Sequence, residues 1–285
     1  MMQRANTVLL VVVAAFVAVL MPASDATAQA PIVSQAATQP AKGRLSIREQ
    51  FMLMRMDNDP SGEDREVRMS ILNTVIDYGL TGNQSLSLRL PVIFRRVNDD
   101  DQHGRFHEDG IGDLTAIWKY RLWQHDTGPI STKRFSIFAG AEIPVGNEDL
   151  SSGSFDPIIG VVYTQVQGRH GLNLDASWKF TTGGDDDGTS VGDSLADLLR
   201  VNASYLYRIA PEQYQSDTNA SWYAVAELNG TYETNGDTEV MLSPGLLYEH
   251  RRWAAEIGVQ LPILQDVDHR LEHEWVFIVG VRFLF

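Results

Sequence analysis

Apolar and polar residues alternate along most of this chain with a period of two. In the last segment Trp275, Phe277, Val279, Val281, Phe283 and Phe285 fall on one side, with Glu274, Gly280 and Arg282 on the other. Successive side chains of an extended strand point to opposite faces, so such a segment reads as a strand with one oily and one polar face. The same pattern joins Leu172, Leu174, Ala176, Trp178 and Phe180, then Leu86, Leu88, Leu90, Val92 and Phe94, and again Leu199, Val201, Ala203, Tyr205 and Tyr207. About twelve such segments begin near residues 45, 68, 84, 111, 134, 156, 171, 197, 221, 238, 252 and 273, and the phase of the first, second and sixth is ambiguous. Prolines 91, 144, 244 and 262 interrupt the ladders and mark bulges or strand ends.

Outside the N-terminus no stretch is long and apolar enough for a membrane helix. A lipid bilayer offers no water to bare backbone, so a spanning sheet must close on itself. The expected fold is all-β: an antiparallel transmembrane β-barrel of about twelve strands, an even count that puts both ends on the periplasmic side. The connections agree in part. Asp57 to Glu66, Asn98 to Asp109, Gly146 to Ser154, Thr181 to Asp193, Thr234 to Asp237 and Gln265 to Glu272 are mostly long and acidic, as external loops. Gly79 to Gly82, Gln167 to Arg169 and Glu249 to Arg251 are compact, whereas Gln124 to Lys133 and Ala210 to Asn219 are long for periplasmic turns. A soluble β-sandwich would also explain the alternation; its oily faces would pack on each other.

The N-terminus points to export. Arg4 precedes the apolar run Val8 to Leu20, and Ala26-Thr27-Ala28 offers a small-x-small cleavage site. The run is short for an uncleaved anchor of about 20 residues. Residues 1–28 are therefore expected to be a signal peptide, residues 29–44, rich in Ala, Gln and Pro, a flexible lead-in, and residues 45–285 the barrel. The formal charge of -14 and the lack of a basic stripe exclude a nucleic-acid partner. Cysteine is absent, which removes disulfides, thiol nucleophiles and thiolate metal sites.

The segment Gly110-Ile-Gly112-Asp113-Leu114 with Lys119-Tyr120-Arg121 matches a G-x-G-D-L-x-x-x-x-K-Y-R pattern. Ala139 to Gly146 looks like a strand ending in L-P-T-G, with Val145 in place of the usual Thr. On these residues the chain resembles the outer-membrane transporter-like family known as "putative MetA-pathway of phenol degradation". The resemblance implies a bacterial outer-membrane barrel that moves small, often aromatic or hydrophobic, compounds.

With the phases above, the candidate pore-lining residues are Arg89, Arg95, Lys119, Arg121, Glu142, Asp175, Lys179, Arg200, Arg208, Glu227, Glu239, Glu256 and Arg282. Inward charges of both signs suit a selective pore. They equally suit an internal salt-bridge lattice that fills a narrow barrel, since isolated charges in a confined interior are costly. The acidic runs Asp99 to Asp101 and Asp185 to Asp187 lack EF-hand spacing, and His103 and His107 sit in a Gly- and Asp-rich stretch, so no metal or cofactor is expected. No Gly-x-Ser-x-Gly elbow or Ser-His pairing marks an enzyme. The expected partners are outer-membrane lipid, lipopolysaccharide and a small-molecule cargo; oligomeric state is not encoded in the pattern. The leading expectation is a channel for passive or facilitated passage. Its rival is a closed structural or adhesive barrel whose acidic loops bind a partner or lipopolysaccharide.

Overall fold

The computed structural model describes residues 30–60, 65–99, 104–128, 130–183, 195–215 and 217–285. The expected signal peptide, His103 and the acidic runs at 100–101 and 185–187 lie outside the described residues. The strands are β1 (Leu45–Asp57), β2 (Arg65–Gly79), β3 (Gln84–Asp99), β4 (Gly104–Ile111), β5 (Leu114–Gly128), β6 (Ser131–Ile143) and β7 (Asp156–Gln167). They continue as β8 (His170–Lys179), β9 (Leu198–Ala210), β10 (Ala220–Glu233), β11 (Thr238–His250), β12 (Trp253–Asp266) and β13 (Glu272–Leu284).

Apart from β4 and β5, each strand pairs antiparallel with its chain neighbours, and β1 also pairs with β13, so the sheet closes into a ring. Closure extends to the last residue, whose N–H donates to the Leu45 carbonyl at 2.8 Å while its own carbonyl accepts from the Leu45 N–H. Among the described residues the sheet has thirteen strands, but β4 and β5 share one partner: β3 pairs with β5 over Gln84–Arg89 and with β4 over Val92–Asp99. The ring therefore has twelve positions, as the alternation predicts. Of the expected loop from Asn98 to Asp109, the described residues are strand: Asn98 and Asp99 end β3 and Gly104 to Asp109 belong to β4, and their pairing carries the sheet beyond the ring.

The prolines fall at breaks in pairing. Pro91 sits where the partner of β3 changes, and its carbonyl accepts from the Gly112 N–H at 3.0 Å. Pro144 follows the end of β6, Pro244 lies in a gap of the β11–β12 ladder, and Pro262 lies beside the register shift at Val240/Met241.

The oily face points outward. Ile159, Val201, Leu228, Ile257 and Val279 are each more than 40% exposed. Aromatic rings collect at the two ends of this belt. Trp118 stacks on Tyr120, and Trp222, Tyr248 and Trp253 adjoin at 4.8 and 5.0 Å near the rim where the chain termini meet, whereas Trp178, Tyr232 and Trp275 mark the far rim. An apolar band bounded by aromatic girdles is what hydrocarbon and headgroup layers select. One acid breaks the band: Glu49 shares its outward register with Val281 and Thr74, and the Thr74 hydroxyl donates to it at 2.9 Å.

Inside, the chain departs from expectation. Residues 30–41, which composition suggests are flexible, enter the barrel and cross its lumen. Ile32, Ala37 and Ser34 are buried there, and Ile32 joins Leu206, Tyr223, Val225, Met241, Leu247, Val276 and Ile278 in a core cluster. Ala37 packs with Phe138 and Val162 on the opposite wall. The barrel interior thus contains small hydrophobic cores, and these explain the ambiguous strand phases. In β1 the inward side carries Met52, Met54 and Met56, and in β7 the inward Ile158 and Val162 oppose the outward Ile159 and Val161.

Candidate functional site: the barrel lumen

The N-terminal segment is held by side chains that a bare barrel would leave pointing at each other. Glu227, 1% exposed on β10, accepts from the backbone N–H groups of Ile32 (2.7 Å), Val33 (3.1 Å) and Ser34 (2.8 Å) and from the Ser34 hydroxyl. Successive N–H groups converging on one carboxylate form an anion-binding concavity in which the charge is satisfied by backbone dipoles. Asp175 on β8 accepts from the Gln35 N–H at 2.9 Å and from the Asn202 amide at 2.8 Å. Thr164 accepts from the Ala37 N–H, and Lys119 donates to the Ala36 carbonyl at 2.8 Å. Arg48 donates to the Ile32 carbonyl and to Glu256. Where the segment rejoins the wall it passes so close to Gly79 that a Cβ there would collide with the carbonyls of Pro40 and Ala41, a place only glycine fits.

All thirteen candidate residues take inward registers, but they do different jobs. Glu256 is met by Arg48 at 2.5 Å and Arg282 at 3.6 Å. Lys179 pairs with Glu142 at 3.0 Å and Asp156 at 3.8 Å. Glu239 bonds His273 at 3.0 Å and lies 3.6 Å from Arg270, which also pairs with Glu233 at 3.0 Å. Glu227 and Asp175 hold the segment. Arg95 is at the far rim, where it pairs with Glu108 and donates to the Asp149 carbonyl at 2.7 Å. Arg121 and Arg208 are at the terminal rim: Arg121 donates to the Gly82 carbonyl, and Arg208 lies 4.0 Å over the Tyr214 ring. Two cations stand apart. Among the described residues Arg89 and Arg200 make neither a hydrogen bond nor an ion pair, and both face the main cavity.

That cavity has a volume of about 430 Å³ and lies on the far side of the segment. One wall is apolar, with Met52, Met54, Met69, Ile71 and Met241, and the other carries Arg89, Lys119, Arg200 and Asp175. A second space of about 110 Å³, between the segment and the terminal rim, shares Arg89, Lys119, Val33 and Gln35 with the first. The segment is therefore the partition between two chambers of one lumen. Sequence reasoning missed it, along with Arg48 and the methionine wall. The one available signal was Ile32-Val33, the only branched aliphatic pair in residues 29–44.

At the far rim the β12–β13 loop bends over the cavity. Arg270 is buried against Glu233, and Leu271 packs with Met56, Val67 and Met69. Asp237 fastens this loop, accepting from the N–H groups of Asp268 (2.9 Å) and His269 (3.2 Å) and bonding the His269 ring at 2.9 Å. Burial works against ionisation of Asp237, but these bonds outweigh it and hold its carboxyl below the ordinary value of 3.8.

The motif residues act as joints. Asp113 accepts from Gly146 N–H, Ser152 N–H and the Ser152 hydroxyl, and so ties down the β6–β7 loop. A Cβ on Gly110 would strike Asn147, and one on Gly112 would meet Ile93 and Pro91 at about 3 Å. Lys119 grips the N-terminal segment, Tyr120 joins the aromatic girdle and Arg121 clamps the β2–β3 turn.

A closed antiparallel ring with an oily exterior, aromatic girdles and a polar, partly filled lumen defines a β-barrel of the bacterial outer membrane. The chain belongs to the family described as "Putative MetA-pathway of phenol degradation", whose sequence profile matches residues 62–270. In fold it is similar to the COG4313 outer membrane channel from Pseudomonas putida F1, with 13% identity, a TM-score of 0.57, and coverage of 87% of this chain and 97% of that one. It is also similar to the β domain of the Bordetella autotransporter BrkA, with 13% identity, a TM-score of 0.50, and coverage of 86% and 100%. No curated protein sequence matches the chain.

Proposed function

We propose that this protein is an outer-membrane channel for small molecules, aromatic or hydrophobic compounds among them, and that residues 30–41 hold it closed in the conformation seen. The observation that carries this reading is the 430 Å³ cavity, lined by mixed polar and apolar side chains and separated from the terminal rim only by a segment that is not part of the ring. Arg89, Lys119, Asp175, Arg200 and Glu239 then line the path, while the other candidates brace the wall or hold the segment. The family description and the channel of similar fold support the same reading.

Liposome swelling with arabinose tests it. The full chain should admit the sugar slowly, and a variant lacking residues 30–40 should admit it severalfold faster while keeping the heat-dependent gel shift of a folded barrel. Equal rates would remove the gating role; no flux through either would remove the channel. The blocked lumen favours one alternative, a closed barrel that binds lipopolysaccharide or another partner at its surface. That reading requires undiminished surface binding and no flux after the deletion.

A further inference from the structure

We infer that the main cavity is a binding site for small aromatic carboxylates, with the anionic group between Arg89 and Arg200 and the ring against the methionine wall. The inference rests on the channel reading for its purpose but on the cavity's chemistry for its content.

The charges of the lumen are satisfied unequally. Asp175 and Glu239, the two carboxylates that line the cavity, are both occupied: Asp175 by Gln35 N–H and Asn202, Glu239 by His273, Gln265 and Arg270. Glu142 is taken by Lys179 and Glu233 by Arg270. On the cationic side, Lys119 is bound only to neutral oxygens, the Ala36 carbonyl and the Gln35 side chain. Arg89 and Arg200 have no hydrogen bond or ion pair among the described residues, and they lie within electrostatic reach of each other. Asp77 and Glu142 offset part of the Arg89 charge, but Asp77 lies in the smaller chamber and Glu142 is held by Lys179, and the acids that act on Arg200 are Glu142, Glu233 and Asp175, each already engaged. The cavity is thus left with donors that have no acceptor. Two guanidinium groups facing one space match a carboxylate, whose two oxygens accept paired N–H bonds.

The remaining walls specify what the carboxylate is attached to. Met52, Met54, Met69 and Met241 present thioethers, and Phe138, Ile117 and Ile158 add a smaller apolar patch between the two arginine-bearing strands. Methionine sulfur makes favourable contacts with aromatic rings and adapts to ligands of different shape. A volume of about 430 Å³ lies in the usual pocket range of about 300–1,000 Å³ and suits a single substituted ring.

Calorimetric titration of the full chain in neutral detergent, against detergent alone, decides this. Benzoate should bind, and the cation benzylamine and neutral benzyl alcohol, of similar size, should bind at least about tenfold more weakly. Arg89→Gln with Arg200→Gln should weaken benzoate by about tenfold or more and leave benzyl alcohol unchanged, whereas Arg89→Lys with Arg200→Lys should recover part of the loss. A retained heat-dependent gel shift shows that the variants fold. No benzoate binding, equal binding to wild type and the glutamine variant, or a preference for benzylamine would each overturn the assignment. Failure of the channel reading is a separate result: benzoate binds as described, yet the variant lacking residues 30–40 passes no solute.

Discussion

The two sides of the lumen solve the same problem in opposite ways. From β8 to β10 the wall is polar and, Arg200 apart, its charged groups are engaged: Asp175, Asn202, Glu227 and Asn229 bond one another or the N-terminal segment, and Glu233 bonds Arg270. From β1 to β2 the wall is methionine, and beyond its contacts with the segment and Leu271 it faces open space. Buried charges need partners in defined directions, so the polar wall fixes geometry. Thioethers need only contact and tolerate change, so the methionine wall leaves room for variable occupants. The β12–β13 loop bridges the two, with Arg270 on the polar side and Leu271 on the apolar side.

Four perturbations break or sharpen that contrast. Arg270→Ala should have the largest effect, because it removes the guanidinium shared by two buried carboxylates, Glu233 and Glu239; a loss of about 3–5 kcal/mol in unfolding free energy is expected from denaturant titration. An unchanged midpoint would mean that the bridge contributes nothing to stability. Glu227→Ala should cost about 2–3 kcal/mol by the same measure, since several N–H groups lose a charged acceptor, and should open residues 30–40 to added protease. Protection equal to wild type would show that the segment is held elsewhere.

The third perturbation is acid. Asp237 ionises more readily in the folded protein than in the unfolded chain, so its contribution is complete above the ordinary carboxylate value of 3.8 and fades as pH falls through the lower folded value. As pH falls from about 6 through the carboxylate range the wild type should lose more stability than Asp237→Asn, which has nothing left to titrate. Parallel pH curves would refute the link. The smallest effect belongs to Met54→Ala, a change on the adaptable wall beside existing space. It should cost less than about 1 kcal/mol, below the about 2–5 typical of enclosed methionines, and a larger loss would mean that this wall is packed as rigidly as the polar one.

The contrast also explains what could be read in advance. Where the outer face meets lipid and the inner face meets polar groups, alternation is strict, and the starts of β3 and β11 fall where the period-two pattern puts them. β4 escaped because it lies beyond the ring, where no lipid layer forces a pattern on Gly104 to Ile111. The phases of β1, β2 and β7 blurred because their inward residues pack against the segment, the bridging loop or one another and are themselves apolar. The inward direction of all thirteen charged candidates followed from phase alone. Their division into braces, grips and unengaged cations did not, because it depends on which partners the ring brings across, such as Glu256 to Arg48. The lumen segment was hidden for a related reason. It is ordered not by its own periodicity but by Glu227, a carboxylate nearly two hundred residues away.

The seam between the first and last strands has a bearing on how the molecule is made. Ser46 faces Leu284, so the joint that completes the cylinder unites the two ends of the sheet and is the least local pairing in it. Until the final residues arrive, the sheet is an open trough, and residues 30–41, attached to its leading edge, can be laid inside. Closure in that order would need no threading: the occluding strap would be wrapped in rather than pushed through.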